Sequence, residues 1–255
     1  MLAKRLDFIT KILEEKGSVE VSELSRLCGV TEKTIRLDLK KLEELQIAKR
    51  VHGGALLRKE GNEIFPINKR KAGHTRQKHS IANTALKLIN DGDTIFLDSG
   101  TTTLELAKIL DKQVIVITND PFIAYELLEN EKVTLYVTGG RLNRERGSYT
   151  YVGPDALTTI NNYSANKCFL GGSALNFERG IMVFSTDEVE VKRSMLQNSQ
   201  ISICLMDYSK FHKIAFTSYA QVHEINKIVT DDEITDEDID FLVSKGIDVL
   251  IAENE

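Results

Sequence analysis

The run Asp98-Ser99-Gly100-Thr101-Thr102-Thr103 packs a carboxylate, a glycine and four hydroxyls into six consecutive positions. It stands between an apolar run ending at Leu97 and a helical pattern starting near Leu104. Open α/β sheets receive ligands there, beyond the carboxyl ends of their strands. Glycine lets the backbone approach an anion closely. Hydroxyls and free N–H groups at a helix start donate to it, and the helix dipole adds attraction. A plain Ser/Thr cap and turn is the alternative reading. Three more apolar runs end in polar loops: Thr118-Asn119-Asp120, Thr138-Gly139-Gly140-Arg141 and Gly171-Gly172-Ser173. Converging polar loops are what a small-ligand pocket requires. Lys192, on a helix with Glu188, and Lys210, in Asp207-Tyr208-Ser209-Lys210-Phe211, are the candidate cations, although a surface charge would explain either. The expected effector-binding set is therefore Asp98, Ser99, Gly100, Thr101, Thr102, Thr103, Asn119, Gly139, Gly140, Gly171, Glu188, Lys192 and Lys210. Its ligand is a small acidic or phosphorylated metabolite.

A second concentration of chemistry lies near the N-terminus. Lys33, Arg36, Leu37 and Lys40 fall opposite an apolar stripe of Ile35, Leu39 and Leu42 at helical spacing. Thr31 can cap that helix, and Thr31 and Thr34 sit where side chains reach base edges or phosphates. Arg36 is the first candidate for base readout, because its fork can pair with guanine in the major groove. Lys33, Lys40 and Lys41 suit phosphate contacts that set register. Arg50 and His52 could reach the backbone or the minor groove from a following β-wing. The alternative is a small helical bundle with a solvated basic face.

These groups need scaffolds, and the pattern supplies them. Leu6, Ile9 and Leu13 mark a first helix that Gly17 ends. Val19 and Val21 form a short extended piece, after which Ser22 can cap a second helix carrying Leu24 and Leu27. Gly29 suits the tight turn before the third helix. Ala48 to Leu57 reads as strand, Gly-Gly turn and strand. Together these are a winged helix-turn-helix over residues 1–57. Residues 58–78, polar and broken by Gly61, Pro66 and Gly73, read as a linker, with Lys69-Arg70-Lys71 a solvated charge run or a further DNA contact. Residues 79–255 alternate helical patterns with buried-type strands at 94–97, 114–117, 135–137, 168–170, 201–205 and 249–251. Continuous apolar strands between helices imply a mostly parallel sheet covered on both faces, so the fold class is α/β.

Composition agrees. The chain has 255 residues and a net charge of −5, which suits two unequal domains. Residues 1–59 hold 13 Lys/Arg against 9 Asp/Glu, leaving the remainder at −9. A basic head on an acidic body is expected where only the head touches DNA phosphates. No apolar run approaches the roughly 20 residues of a membrane span, and the first residues lack a secretory pattern, so a cytoplasmic location is expected. Cys28, Cys168 and Cys204 lie in apolar settings without metal spacing and read as reduced core residues. Neither metal nor cofactor is expected.

The sequence resembles the DeoR family of bacterial sugar-metabolism regulators. In the head the likeness rests on Arg5, Val19 to Leu24, Val30 to Leu39 and Arg50-Val51-His52-Gly53-Gly54-Ala55. In the body it rests on Asp98 to Thr103, Thr118-Asn119, Thr138-Gly139-Gly140 and Asp207 to Phe211. The resemblance implies a sensor domain similar in fold to ribose-5-phosphate isomerase that binds a phosphorylated sugar or sugar acid. It also implies repression of a carbohydrate operon, relieved by that effector, and assembly into a homodimer or homotetramer on double-stranded operator DNA. Two positions depart from the family pattern. Leu37 stands where Arg or Lys is usual, which bears on operator preference. Asn166 stands where Asp is frequent, which bears on ligand pose and on any isomerase chemistry. The competing expectations are a phosphosugar isomerase with an accessory DNA-binding head, using Asp98, Glu188, Glu190 and Lys192, and a constitutive DNA-binding protein with a vestigial pocket.

Overall fold

The computed structural model describes residues 2–16, 18–44, 47–51, 53–57, 73–144 and 149–253. The chain divides into two compact units, Met1–Gly61 and Asn62–Glu255.

The smaller unit runs α1 (Leu2–Lys16), β1 (Ser18–Glu20), α2 (Val21–Cys28), α3 (Glu32–Glu44), β2 (Ala48–Val51) and β3 (Gly54–Leu57). The spacing of apolar residues on the three helices builds one core from Ile9, Leu13, Leu24, Ile35, Leu39 and Leu42, closed by Val19 and Ala55 from the strands. Gly29 ends α2 in the left-handed region at φ 63°, its N–H donating to the Ser25 carbonyl. The helix α3 opens on Thr31, whose Oγ1 accepts from the Thr34 N–H at 3.3 Å, a side-chain cap of the expected kind. Ser22 does not cap α2. The helix begins two residues earlier, with Glu20 at the cap position and no side-chain cap bond. Instead the Val21 N–H donates to the Gly53 carbonyl at 2.9 Å. The turn of the wing therefore caps the second helix. The sheet order is β1-β3-β2, all antiparallel, so the wing is joined to the helices through β1.

The larger unit contains α4 (Thr75–Leu86), β4 (Thr94–Leu97), α5 (Thr101–Lys108), β5 (Val114–Thr118), α6 (Pro121–Glu126), β6 (Val133–Val137), β7 (Arg141–Asn143), β8 (Thr150–Val152), α7 (Pro154–Asn161) and β9 (Ala165–Leu170). It continues with β10 (Ala174–Asn176), β11 (Gly180–Val183), α8 (Thr186–Gln197), β12 (Ser199–Leu205), β13 (Thr217–Ala220), β14 (Lys227–Asp231), α9 (Asp236–Ser244) and β15 (Asp248–Ala252). Helix α4 starts inside the segment read as a linker. Residues 58–72, including Lys69-Arg70-Lys71, lie outside the described residues.

Seven strands form one sheet in the order β15-β14-β12-β9-β4-β5-β6, and every pairing in it is parallel. Successive side chains on a strand point to opposite faces, and each face has its own core. Phe96, Cys168 and Cys204 join Ile160, Val191 and Leu242 of α7, α8 and α9. Their neighbours Ile95, Phe169 and Ile203 join Ile81, Leu104 and Ile123 of α4, α5 and α6. Burial pushes the Cys168 and Cys204 thiols up to about 12, which suits packing and not reactivity. Strand β14, the antiparallel sheet β10-β11-β13 and the hairpin β7-β8 were not foreseen from the sequence. Among the described residues no helix is long and apolar enough to cross a membrane.

The chain places β5 and β6 on one side of β4, and β9, β12, β14 and β15 on the other. The direction of winding thus reverses between β4 and β9. A crevice opens at such a switch point, at the carboxyl ends of the strands.

Candidate functional site

In the smaller unit, α3 presents Lys33, Arg36, Leu37, Lys40 and Lys41 to solvent. Its other face buries Ile35, Leu39 and Leu42 together with one charged group, Asp38. Arg5 of α1 forks onto that carboxylate, Nε to Oδ2 at 2.6 Å and Nη2 to Oδ1 at 3.1 Å. The bond to Asp38 is the main reason the Arg5 guanidinium holds its proton more tightly than usual. This bidentate pair fixes α3 against α1. The sequence held a signal for it, because Asp38 falls on the buried stripe and a carboxylate there needs a cation.

Arg36 is exposed, and its Nη2 pairs with Glu32 Oε2 at 2.6 Å, one turn back. Arg50 is tied to Glu43 twice, through Nε at 2.8 Å and through its backbone N–H at 3.0 Å, which clips β2 to α3. Thr31 and Thr34 engage each other's hydroxyls at 3.0 Å. His52 lies outside the described residues. If Lys33 and Lys40 contact phosphates, each change to alanine is expected to lower the slope of log K against log salt by about 0.9 for duplex DNA. Titration of a duplex at several salt concentrations measures it, and unchanged slopes would remove both from the interface.

In the larger unit, the switch point is organised by Asp98. Its carboxylate is fully buried, ion-paired through Oδ2 with the buried ammonium of Lys192, and Oδ2 also accepts from the Gly171 N–H at 3.0 Å. Lys192 in turn donates to the Gly171 carbonyl at 3.2 Å and lies 5.4 Å from the centre of the Tyr219 ring. The loops after β4 and β9 are thereby locked to α8. The loop after β5 is locked on the other side. Asn119 accepts the Ser99 N–H at 3.1 Å and donates to Thr150 Oγ1 at 2.7 Å, and the Tyr151 N–H donates to the Asn119 carbonyl at 2.8 Å.

Gly100 precedes α5. Thr103 is buried with its hydroxyl donating back to the Gly100 carbonyl at 3.0 Å. Thr102 is buried as well. Ser99 and Thr101 are half-buried. Asp120, which the sequence marks only as part of a polar loop after β5, caps α6 by accepting from Phe122 and Ile123 at 2.7 and 3.2 Å. Burial, with the Asp98 charge adding, pushes its carboxyl up to about 6, against backbone donors that include Gly100.

Family models settle what this architecture is. One for a DeoR-like helix-turn-helix domain matches residues 5–60, and one for a DeoR C-terminal sensor domain matches residues 73–232. The chain belongs to the DeoR family. It is a DNA-binding transcriptional regulator of that type. An Escherichia coli O157:H7 protein, provisionally named an aga operon transcriptional repressor, is 36% identical over 98% of this chain and 94% of its own. The HTH-type transcriptional repressor GlcR of Bacillus subtilis (strain 168) is 31% identical over 99% and 97%. A ribose 5-phosphate isomerase A structure from Methanocaldococcus jannaschii is 17% identical, with a TM-score of 0.38 over 53% of this chain and 54% of that one.

Within the DeoR sensor, the structure joins Asp98, Ser99, Asn119, Gly171 and Lys192 by the bonds above. Glu188 is buried one turn before Lys192 on α8. Gly139 and Gly140 follow β6, where a Cβ on Gly140 would meet the Val152 carbonyl at 2.7 Å, so that glycine serves close packing. Lys210 ends a 3-10 turn after β12, half-buried. Asn166 Oδ1 accepts the Thr94 N–H at 2.8 Å, at the starts of β9 and β4, the end of the sheet away from the switch-point crevice.

Proposed function

We propose that this DeoR regulator acts in the cytoplasm as a homodimer or homotetramer, represses a carbohydrate operon, and is released by a small phosphorylated sugar or sugar acid. The carrying observation is the buried Asp98–Lys192 pair at the switch point. A buried ion pair adds little stability compared with apolar packing. Here it holds the β4 and β9 loops together and leaves the Ser99-Gly100-Thr101 turn at the start of α5, where an anion binds favourably. Lys192 is neutralised by Asp98. Lys210, which has no ion-pair partner among the described residues, supplies the free positive charge. Relatives named as repressors of the aga operon and as GlcR support the sugar-related role. Of the four residues the isomerase alternative draws on, Asp98, Glu188, Glu190 and Lys192, two are buried in a pair with each other, Asp98 and Lys192.

Release requires that the effector bind the DNA-competent and incompetent states unequally. A thermal-shift panel of phosphorylated sugars and sugar acids tests the reading. An effector at 100 times its Kd is expected to add about 2.7 kcal/mol, roughly 5–10 °C for a unit of this size. Thr101→Asp places a negative charge at the cradle and is expected to abolish both the shift and operator release while leaving DNA binding intact. Retained release in that variant would put the effector elsewhere.

A further inference from the structure

Leu37 is 61% exposed, although it sits in the middle of the cationic face of α3. At 3.6 residues per turn it projects within about 15° of the direction opposite the Ile35/Leu39/Leu42 stripe, while Arg36 lies roughly a quarter turn away. Arg36 is also paired on that flank with Glu32. Lys33 and Lys40, one turn to either side of Leu37, are exposed. Leu37 is therefore the side chain of α3 most directly opposed to the buried stripe, flanked by exposed cations of the kind that contact phosphates. Its Cδ methyls offer no hydrogen bond. In the major groove, the apolar group that a base edge presents is the C5-methyl of thymine.

We propose that Leu37 is the central specificity-determining residue of the head and reads thymine through its 5-methyl group, with Arg36 in a flanking role. The inference rests on the DNA-binding assignment of the head and is independent of the effector.

A duplex is first selected from a randomised pool with the full chain, and each thymine is then replaced singly by deoxyuridine, which lacks the methyl. At one position in each half-site the wild-type protein is expected to bind the deoxyuridine duplex about fourfold more weakly, the worth of one apolar carbon withdrawn from water. Leu37→Ala is expected to bind the thymine duplex more weakly and to be indifferent to that replacement, whereas Leu37→Met keeps the penalty. Because Leu37 buries little in the folded head, the alanine variant is expected to melt with the wild type, which separates reading from folding. A wild-type protein indifferent to every replacement, or an alanine variant with the full penalty, overturns the proposal. So does a change in molar mass on Leu37→Ala, which would make the leucine an assembly contact. Failure to enrich any duplex would instead remove the DNA-binding assignment, and the proposal with it.

Discussion

Lys192→Ala is expected to destabilise the larger unit by about 3–5 kcal/mol, because it leaves the Asp98 carboxylate buried without its cation. Asp98 is sealed from solvent, and its other oxygen, Oδ1, has no hydrogen-bond partner among the described residues. Water therefore cannot replace the lost ammonium unless the β4 and β9 loops part. For a unit of this size the loss corresponds to a fall in Tm on the order of 10 °C. The double variant Asp98→Asn with Lys192→Met is expected to recover most of it, since both charges go together and the asparagine carbonyl still accepts from Gly171. Urea unfolding followed by far-ultraviolet circular dichroism measures both, with the two units treated as separate transitions. Wild-type stability in Lys192→Ala would mean that the pair does not organise the switch point. The double variant also separates two roles: it restores the fold while changing the floor of the crevice, so effector binding in it reports directly on the charges.

The sheet was legible because strands buried on both faces are continuous apolar runs, and six of the seven could be read off as such. Their order then placed the polar loops together. Partnership was not legible. Nothing in a single sequence joins Asp98 to Lys192 across 94 positions, or assigns Thr150, in a short strand without an apolar run, to the support of Asn119. The Thr103 hydroxyl has a local partner that spacing alone does not announce: a helix starting at Thr101 brings the Gly100 carbonyl within reach of its Oγ1. Asn166 precedes the run 168–170, which puts it about 16 Å from Gly171 along the strand at 3.3 Å per residue, a distance that the sequence itself carries. In the head, Arg36 drew attention by its chemistry, while direction along the helix favours Leu37 and Arg36 is paired with Glu32.

The wing makes the sharpest test of how the head is held together, because its two adjacent glycines do different jobs. Gly53 has φ 83° and open space around a built Cβ, so alanine there costs only the left-handed conformation, about 1–2 kcal/mol. Gly54 pairs with Glu20 in the β1–β3 ladder, and a Cβ there would lie 2.1 Å from the Val19 carbonyl oxygen and 3.3 Å from the Glu20 Cα. Those are backbone atoms and cannot swing aside as a side chain would. Gly54→Ala must therefore separate β3 from β1, at about 3 kcal/mol or more. The damage spreads, because the Val21 N–H that opens α2 is held by the Gly53 carbonyl, so the wing and the helix-turn-helix loosen together. A unit of about 60 residues has little stability to spare. Operator affinity is expected to fall by well over tenfold in Gly54→Ala and only a few-fold in Gly53→Ala, with the transition of the smaller unit moving in the same order. Equal affinities in a binding titration would show that β1–β3 pairing is dispensable for DNA recognition, and that α3, pinned by Arg5 and Asp38, suffices to present its face.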